Sequence, residues 1–357
     1  MPDDDISAYV DTEDFIERVS DRRRKLLILV VLLSCILALM YFLSMFLGAV
    51  NVNYRDVIDV WFGNGTWAHT YIIETIRMPR VACAAVVGAG LSVAGMAMQS
   101  LFRNPMAAPS VLGLSSGAAF GAALAMGLGV GGFAGMFSVP LMAFVFCFIT
   151  VFLVYSLAYT RFGVPTVLLL LSGIAVGTFF GGLTSMIQYL VDRDALANII
   201  YWTMGSFGRC DWTSFKISLV TVGLGVGIIV ACSRELNLIS MGEEQAKTLG
   251  INIKVVRWAL LIGTALCVGG SVAISGVIGF VGLIIPHVCR ALIGPNHVYL
   301  WPICVLTGAI FLVTMDLISR TIFAASIGSL PVGVLTALVG APFFVYVMRK
   351  KRNELWG

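Results

Sequence analysis

Charge is scarce in this sequence. Asp, Glu, Lys and Arg make up 12% of its 357 residues, against about 25% in a typical soluble domain. Acidic residues are scarcer still past the N-terminus. Eight of the 19 lie before residue 22: Asp3, Asp4, Asp5, Asp11, Glu13, Asp14, Glu17 and Asp21. A chain that is 59% apolar and this poor in charge cannot solvate its own surface. The bilayer must therefore be its solvent, which excludes a soluble globular fold. The net charge of +4 does not point to nucleic acid, because the cations sit in loops beside apolar spans and form no single basic face.

Catalytic and metal-binding patterns are missing as well. Of the three histidines, His69 is expected on the outer side and His287 and His297 near the inner face, so they cannot share one metal, and no HExxH, no GxSxG and no pair of intramembrane carboxylates occurs. No catalytic residue, metal or cofactor is expected on the chain itself. None of the eight cysteines forms a CxxC pair, and all but Cys210 lie in apolar segments, where they read as small hydrophobes. An ATP-binding loop ending at Lys247-Thr248 would need glycine at 241 and 246, where Met241 and Ala246 stand. If ATP drives this protein, a separate subunit must hydrolyse it.

Long apolar runs are what the sequence does have. Spanning helices are expected over about 26–47, 81–101, 108–128, 136–158, 165–190, 213–232, 255–275, 279–293, 299–319 and 331–348, ten in all, giving an all-α integral membrane protein. The first run is too long for the ~7–15-residue core of a signal peptide, so it reads as a retained helix. Residues 1–25 form an acidic and then basic segment before the transmembrane domain of 26–352, with a short amphipathic helix possible over Asp14–Arg24. The basic residues test the topology. With a cytoplasmic N-terminus, the inner loops hold Arg22–Lys25, Arg103, Arg161, Arg234, Lys247, Lys254, Arg257, Arg290 and Arg349–Arg352. The outer side holds only Arg55, Arg77, Arg80, Arg193, Arg209, Lys216 and Arg320. That bias places both termini in the cytoplasm.

Several local patterns call for a reason. Val87–Gly95 is similar to Val268–Gly276, and continuing the register pairs Pro105 with Pro286 and Gly113 with Gly294. Five helices apart, such copies would form an inverted repeat. Gly113, Gly117, Gly121 and Gly173, Gly177, Gly181 are two small-residue ladders suited to close helix packing. Asp316, inside an apolar run, lies four residues from Arg320. An ion pair is the first reading and a proton relay the alternative. Arg77 and Arg80 run against the charge bias, either docking an acidic partner or simply solvated. Asn237–Gly250 is a charged island within a loop over about 236–252. It suits a short helix that offers a small-residue surface to a soluble partner.

Taken together, the motifs resemble the permease subunits of ATP-binding-cassette (ABC) importers for iron-siderophores, haem and cobalamin, the FecCD type. The matching stretches are Arg77–Arg80, Gly88–Gln99, Arg103–Pro109, Leu112–Ala118, Gly242–Gly250, Gly276–Arg290, Asp316–Arg320 and Leu330–Phe344. The resemblance implies a ten-helix type II importer fold and a homodimer with the substrate path on its axis. It also implies two cytoplasmic ATPase subunits and an external substrate-binding protein. Gly242, Glu243, Ala246, Leu249 and Gly250 match the family's ATPase-coupling positions. Arg77, Arg80 and Arg320 match basic positions that meet the binding protein. Ala108 stands where the family often has an acid, and the acidic N-terminal segment is not shared. The implied function is inward transport of a metal chelate by alternating access, most readily an iron complex (siderophore or haem) or cobalamin, with an oxyanion not separated by sequence. An ion-coupled secondary transporter is the alternative.

Overall fold

A computed structural model describes residues 12–48, 50, 52–161, 163–321 and 329–356. Helix α1 (Thr12–Phe46) runs straight through the expected boundary at residue 25, so the basic segment belongs to the same helix as the first span. Residues 1–11 of the acidic segment lie outside the described residues. After α1 come two short helices, α2 (Tyr54–Trp61) and α3 (Trp67–Thr70), and a π-helical turn over Tyr71–Arg77 that leads into α4 (Met78–Leu101). The bundle continues with α5 (Leu114–Leu128), α6 (Ser138–Ala158), α7 (Thr166–Leu190), α8 (Arg193–Thr203) and α9 (Trp212–Ala231). It is completed by α10 (Ser233–Met241), α11 (Glu243–Thr248), α12 (Ile253–Ser275), α13 (Val281–Ile293), α14 (His297–Thr321) and α15 (Val332–Trp356).

Eight of the described helical segments are long and apolar enough to cross a membrane, and α5 and α13 are shorter apolar helices. In order along the chain these correspond to the ten expected spans. The boundaries differ by a few residues at most, apart from the N-terminal extension of α1, the C-terminal extension of α15 and the later start of α5. The sequence reading did not anticipate α2, α3 and α8. These are short, polar-capped helices at the ends of the bundle. Asp192 caps α8 by accepting from the Ala195 amide at 2.8 Å.

Helix α4 is the axis of the fold. The most apolar window of the Trp67–Leu101 segment is 78% buried, and that of α12 is 72% buried, while the first span is not buried at all. Lipid offers no hydrophobic drive between helices, so α4 gains its contacts by close approach. A Cβ on Gly88 would lie 2.1 Å from the Gly308 carbonyl of α14, and one on Gly95 would lie 1.9 Å from the Gly282 carbonyl of α13. The two ladders pack similarly. Gly113 meets Gly177 and the Gly173 carbonyl, and Gly117 and Gly121 meet α6, whereas Gly181 meets nothing within 4 Å.

The expected repeat needs correcting in its register. Gly95 lies inside α4, but Gly276 ends α12; Pro105 follows α4, but Pro286 is inside α13. The similar stretches therefore do not occupy equivalent places. What repeats is the order of elements. Each half contains one short apolar helix, α5 and α13, at the third and eighth of the ten positions. Moreover, α4 packs on α13 and α14 as α12 packs on α5 and α6.

The glycine contacts can be tested directly. Gly88→Ala forces α4 off α14 and should lower the thermal midpoint of the detergent-purified protein, by about 1–3 kcal/mol of overpacking. Gly181→Ala meets open space and should leave it unchanged. Equal midpoints for the two variants would show that the α4–α14 contact does not depend on the missing Cβ.

Candidate functional site

The charged island folds as two helices, α10 and α11, and so is not the single helix expected. They break at Gly242, whose backbone is extended (φ 160°). The end of α11 is a Schellman motif. Gly250 adopts φ +83°, its amide donates to the Lys247 carbonyl at 2.9 Å, and the Ile251 amide donates to the Ala246 carbonyl at 3.1 Å. Glycine is favoured there because it reaches the left-handed region without a Cβ penalty. Glu243 ties α11 to the bundle. Its carboxylate accepts from Arg257 Nη2 of α12 at 2.7 Å, and Arg257 Nη1 donates to the Val164 carbonyl ahead of α7 at 2.7 Å. Glu244 is paired outward with Lys247 at 2.7 Å, a hydrogen bond that holds its carboxyl below the ordinary range.

Of the expected coupling residues, Leu249 is 66% exposed and Gly250 is exposed, whereas Ala246 is fully buried. The Ala246 methyl thus faces the protein and not solvent. It is small because α11 must lie flat on the protein, and the surface offered beyond it is Met241, Glu244, Leu249 and Gly250. A groove of about 530 Å³ runs between Gly242–Gln245, the Leu101–Asn104 turn and the start of α7.

Beneath α10 lies a polar network that sequence reading missed. Pro286 has no amide to give the Gly282 carbonyl four residues back. The Gln99 amide donates there at 3.3 Å and to the Leu283 carbonyl at 3.0 Å. Arg290 donates to Gln99 Oε1, to the Met96 carbonyl at 3.2 Å and to Ser100 Oγ at 3.0 Å. Ser100 is hydrogen-bonded to Nε2 of the buried His297, and Asn237 of α10 sits 2.6 Å from His297 Nδ1. The partners are up to 197 residues apart, so spacing alone could not reveal them.

At the opposite end the three expected docking arginines are turned inward. Arg77 and Arg320 are each 5% exposed, and the Arg80 side chain is 12% exposed. Arg80 grips Asp316 through Nε and Nη2, both at 2.8 Å, and Arg320 approaches Asp316 at 3.4 Å. The Asp316–Arg320 ion pair holds as expected, with Arg80 as an added partner. The remaining positive charge is met by carbonyls at the end of α1. Arg77 donates to that of Met45 and, in the loop beyond, to that of Val50, and Arg320 donates to that of Ser44 at 2.8 Å. Those of α1 are the groups a helix C-terminus leaves open, and the macrodipole favours cations there. The charge of the three arginines read as docking positions is thus met within the chain. The cations exposed at this end are Arg55, Arg193, Arg209 and Lys216.

Two segments outside the α-helices meet in the interior. The residues ahead of α5 (Ala108–Ser110) and those ahead of α13 (Val277–Phe280) line one cavity of about 70 Å³ with Leu91 and Val268. The first enters a 3-10 turn over Pro109–Leu112 and the second is irregular; backbone outside α-helices is tolerated within a membrane only inside protein or along a cavity. Short interrupted helices at matching places in two halves are a mark of transporter folds. Among the described residues no cluster of His, Cys, Asp or Glu could hold a metal ion.

Known proteins resemble the chain over almost its whole length. Residues 36–350 match the FecCD transport family. The hemin transport system permease protein HmuU of Yersinia pestis is 36% identical over 314 residues, covering 87% of this chain and 92% of its own. The cobalamin import system permease protein BtuC of Halobacterium salinarum is 41% identical over 280 residues, covering 78% and 74%. A solved inward-facing ABC transporter of metal-chelate type superposes with a TM-score of 0.80 at 33% identity, over 90% of this chain and 98% of its own.

The buried charge cluster makes a prediction independent of these relatives. Asp316→Ala leaves Arg80 and Arg320 without the carboxylate they share and should cost about 3–5 kcal/mol, read as lost yield and a lower thermal midpoint. Arg77→Glu should likewise fail to accumulate as folded protein. Glu244→Ala breaks only an exposed pair and should change neither. A folded Asp316→Ala protein with a native midpoint would remove the structural role of the cluster.

Proposed function

The chain belongs to the FecCD transport family, and from that premise we propose how it works and with what. It is a multi-pass membrane protein and the permease subunit of an ATP-driven importer for a metal chelate. Its relatives transport hemin and import cobalamin, both large metal macrocycles, so an iron complex or cobalamin is the substrate class. The α10–α11 unit carries this reading. It is a capped, salt-bridged projection on the basic end, with a small exposed tip at Leu249 and Gly250. It is held firmly enough to be pushed as one piece.

In this reading the basic end and both termini face the cytoplasm. Two ATPase subunits sit against the α10–α11 units of two copies of this chain. The chain performs no hydrolysis and binds no cofactor; ATP is used by the partner. ATP closes the two ATPases, the α10–α11 units follow, and the spans repack to open the other way. The path runs between the two copies. The interior cavity of about 70 Å³ falls far below the ~300–1,000 Å³ of ordinary ligand pockets, which supports a path shared by two chains. An external binding protein delivers the substrate at the opposite end, where Arg55, Arg193, Arg209 and Lys216 are the exposed cations. An ion-coupled carrier would need Asp316 free to titrate, and it is instead held by Arg80 and Arg320.

The test is a mild-detergent pull-down of the tagged chain from its native host. A stoichiometric P-loop ATPase should co-purify. Leu249→Asp should weaken its binding about thirtyfold, the size of one lost hot-spot contact of ~2 kcal/mol, while the permease stays monodisperse. A chain that purifies alone and transports without ATP would overturn the importer reading.

A further inference from the structure

We infer that His297 is a positioning residue that carries motion of α10 into the helices spanning the membrane, through a continuous hydrogen-bonded chain from Asn237 to Arg290. The inference rests on the ATPase reading of α10–α11.

The Asn237 side-chain oxygen Oδ1 faces two donors of one residue, the His297 backbone amide at 2.9 Å and ring Nδ1 at 2.6 Å. An oxygen opposite Nδ1 requires the proton there, so Nε2 is left as an acceptor. Ser100 Oγ supplies the matching O–H. That commits the one Ser100 proton, and the Met96 carbonyl is served by Arg290 instead. Arg290 also donates to Gln99, and Gln99 donates to the Gly282 carbonyl that Pro286 frees. With the neutral ring in this tautomer, each of these atoms has a partner, and the chain runs without a gap from α10 through α14 and α4 to α13.

The same three helices are locked to each other by the Gly88–Gly308 and Gly95–Gly282 approaches. They form one block, and α10 is the element outside it. Leu236 and Ile239 of α10 are buried apolar contacts, which resist separation but not sliding or rotation. Arg103 adds one bond, from Nε to the Ile239 carbonyl at 3.0 Å. The paired bonds from His297 to Asn237 fix the angle as well as the position of α10. Asn296 holds Asn237 from behind, accepting its side-chain N–H at 3.1 Å.

The test follows two positions in the intact complex of permease and ATPase in nanodiscs. An environment-sensitive fluorophore is placed by an unnatural amino acid at Ser240, exposed on α10, or at Ile76, exposed at the far end of the segment continuous with α4. ATP with vanadate is the probe, so no transported substrate is needed. Both labels should respond in the native protein. In His297→Ala the Ser240 response should persist and the Ile76 response should fall at least about fivefold. Asn237→Ala should do the same and serves as the second variant, since Asn237 is half-exposed and its loss disturbs folding least. The double variant should be no worse than either single, because both remove one link. His297→Gln can restore the Ser100 side only, and His297→Asn the Asn237 side only, so neither should recover the Ile76 response. An undiminished Ile76 response in His297→Ala or Asn237→Ala overturns this inference alone. A silent Ser240 in the native protein overturns it together with the ATPase reading.

Discussion

A carbonyl left open inside an apolar protein must find a donor, because no water is there to supply one. Much of this structure follows from that constraint. Helix α1 ends with free carbonyls at Ser44 and Met45, and Arg320 and Arg77 close them. The chain turns before α7 with the Val164 carbonyl open, and Arg257 closes it. Arg103 serves Ile239, and Arg290 serves Met96. The guanidinium is suited to the task, since its planar fork can serve a carbonyl with one arm and a carboxylate or amide with another. This accounts for several arginines placed inside a chain otherwise so poor in charge. They act as caps whose side chains come from distant parts of the sequence.

That use of arginine marks the limit of what the sequence made legible. The spans were readable because lipid imposes a length and a composition on each helix. Even α13, only 13 residues long, was found from its apolar run. The stop at Gly250 was also in principle visible, as a glycine just past a short polar helix. The burial of the arginines was not foreseen for a definite reason. A cation at a span end has two outlets, solvent or an interior carbonyl, and the choice depends on which backbone passes nearby. For Arg77 that backbone is the end of α1, some thirty residues away in the chain. The burial of Ala246 was not foreseen for a related reason. A small residue in a surface helix suits either a partner's approach or the helix's own seat on the protein, and only the packing distinguishes these.

The network from Asn237 to Arg290 was invisible for the same cause. His297 is one of three histidines, and its sequence neighbours say only that a helix begins there. Its role comes from two short bonds across 60 and 197 residues. The sequence did contain one hint, in the proline of α13. A proline within an apolar helix frees a carbonyl four residues back, and a polar residue must come to it. Gln99 is the only glutamine in α4, which makes it a natural candidate once the two helices are known to touch.

The same physics that holds the protein together also determines where it can move. Glycine contacts between α4, α13 and α14 have no slack, since a single Cβ would not fit. Packed interfaces of this kind shift as units and do not deform smoothly. Flexibility is therefore pushed to segments without helical bonding. One is the extended Gly276–Phe280 stretch, where Phe280 is held at φ +68°, a strained value for a side chain of that size. It lies between the locked block and α12, beside the cavity that also receives the entry to α5. A push delivered at α10 thus meets a rigid block, and the nearest place for the displacement to be absorbed is the interior junction of the two short helices.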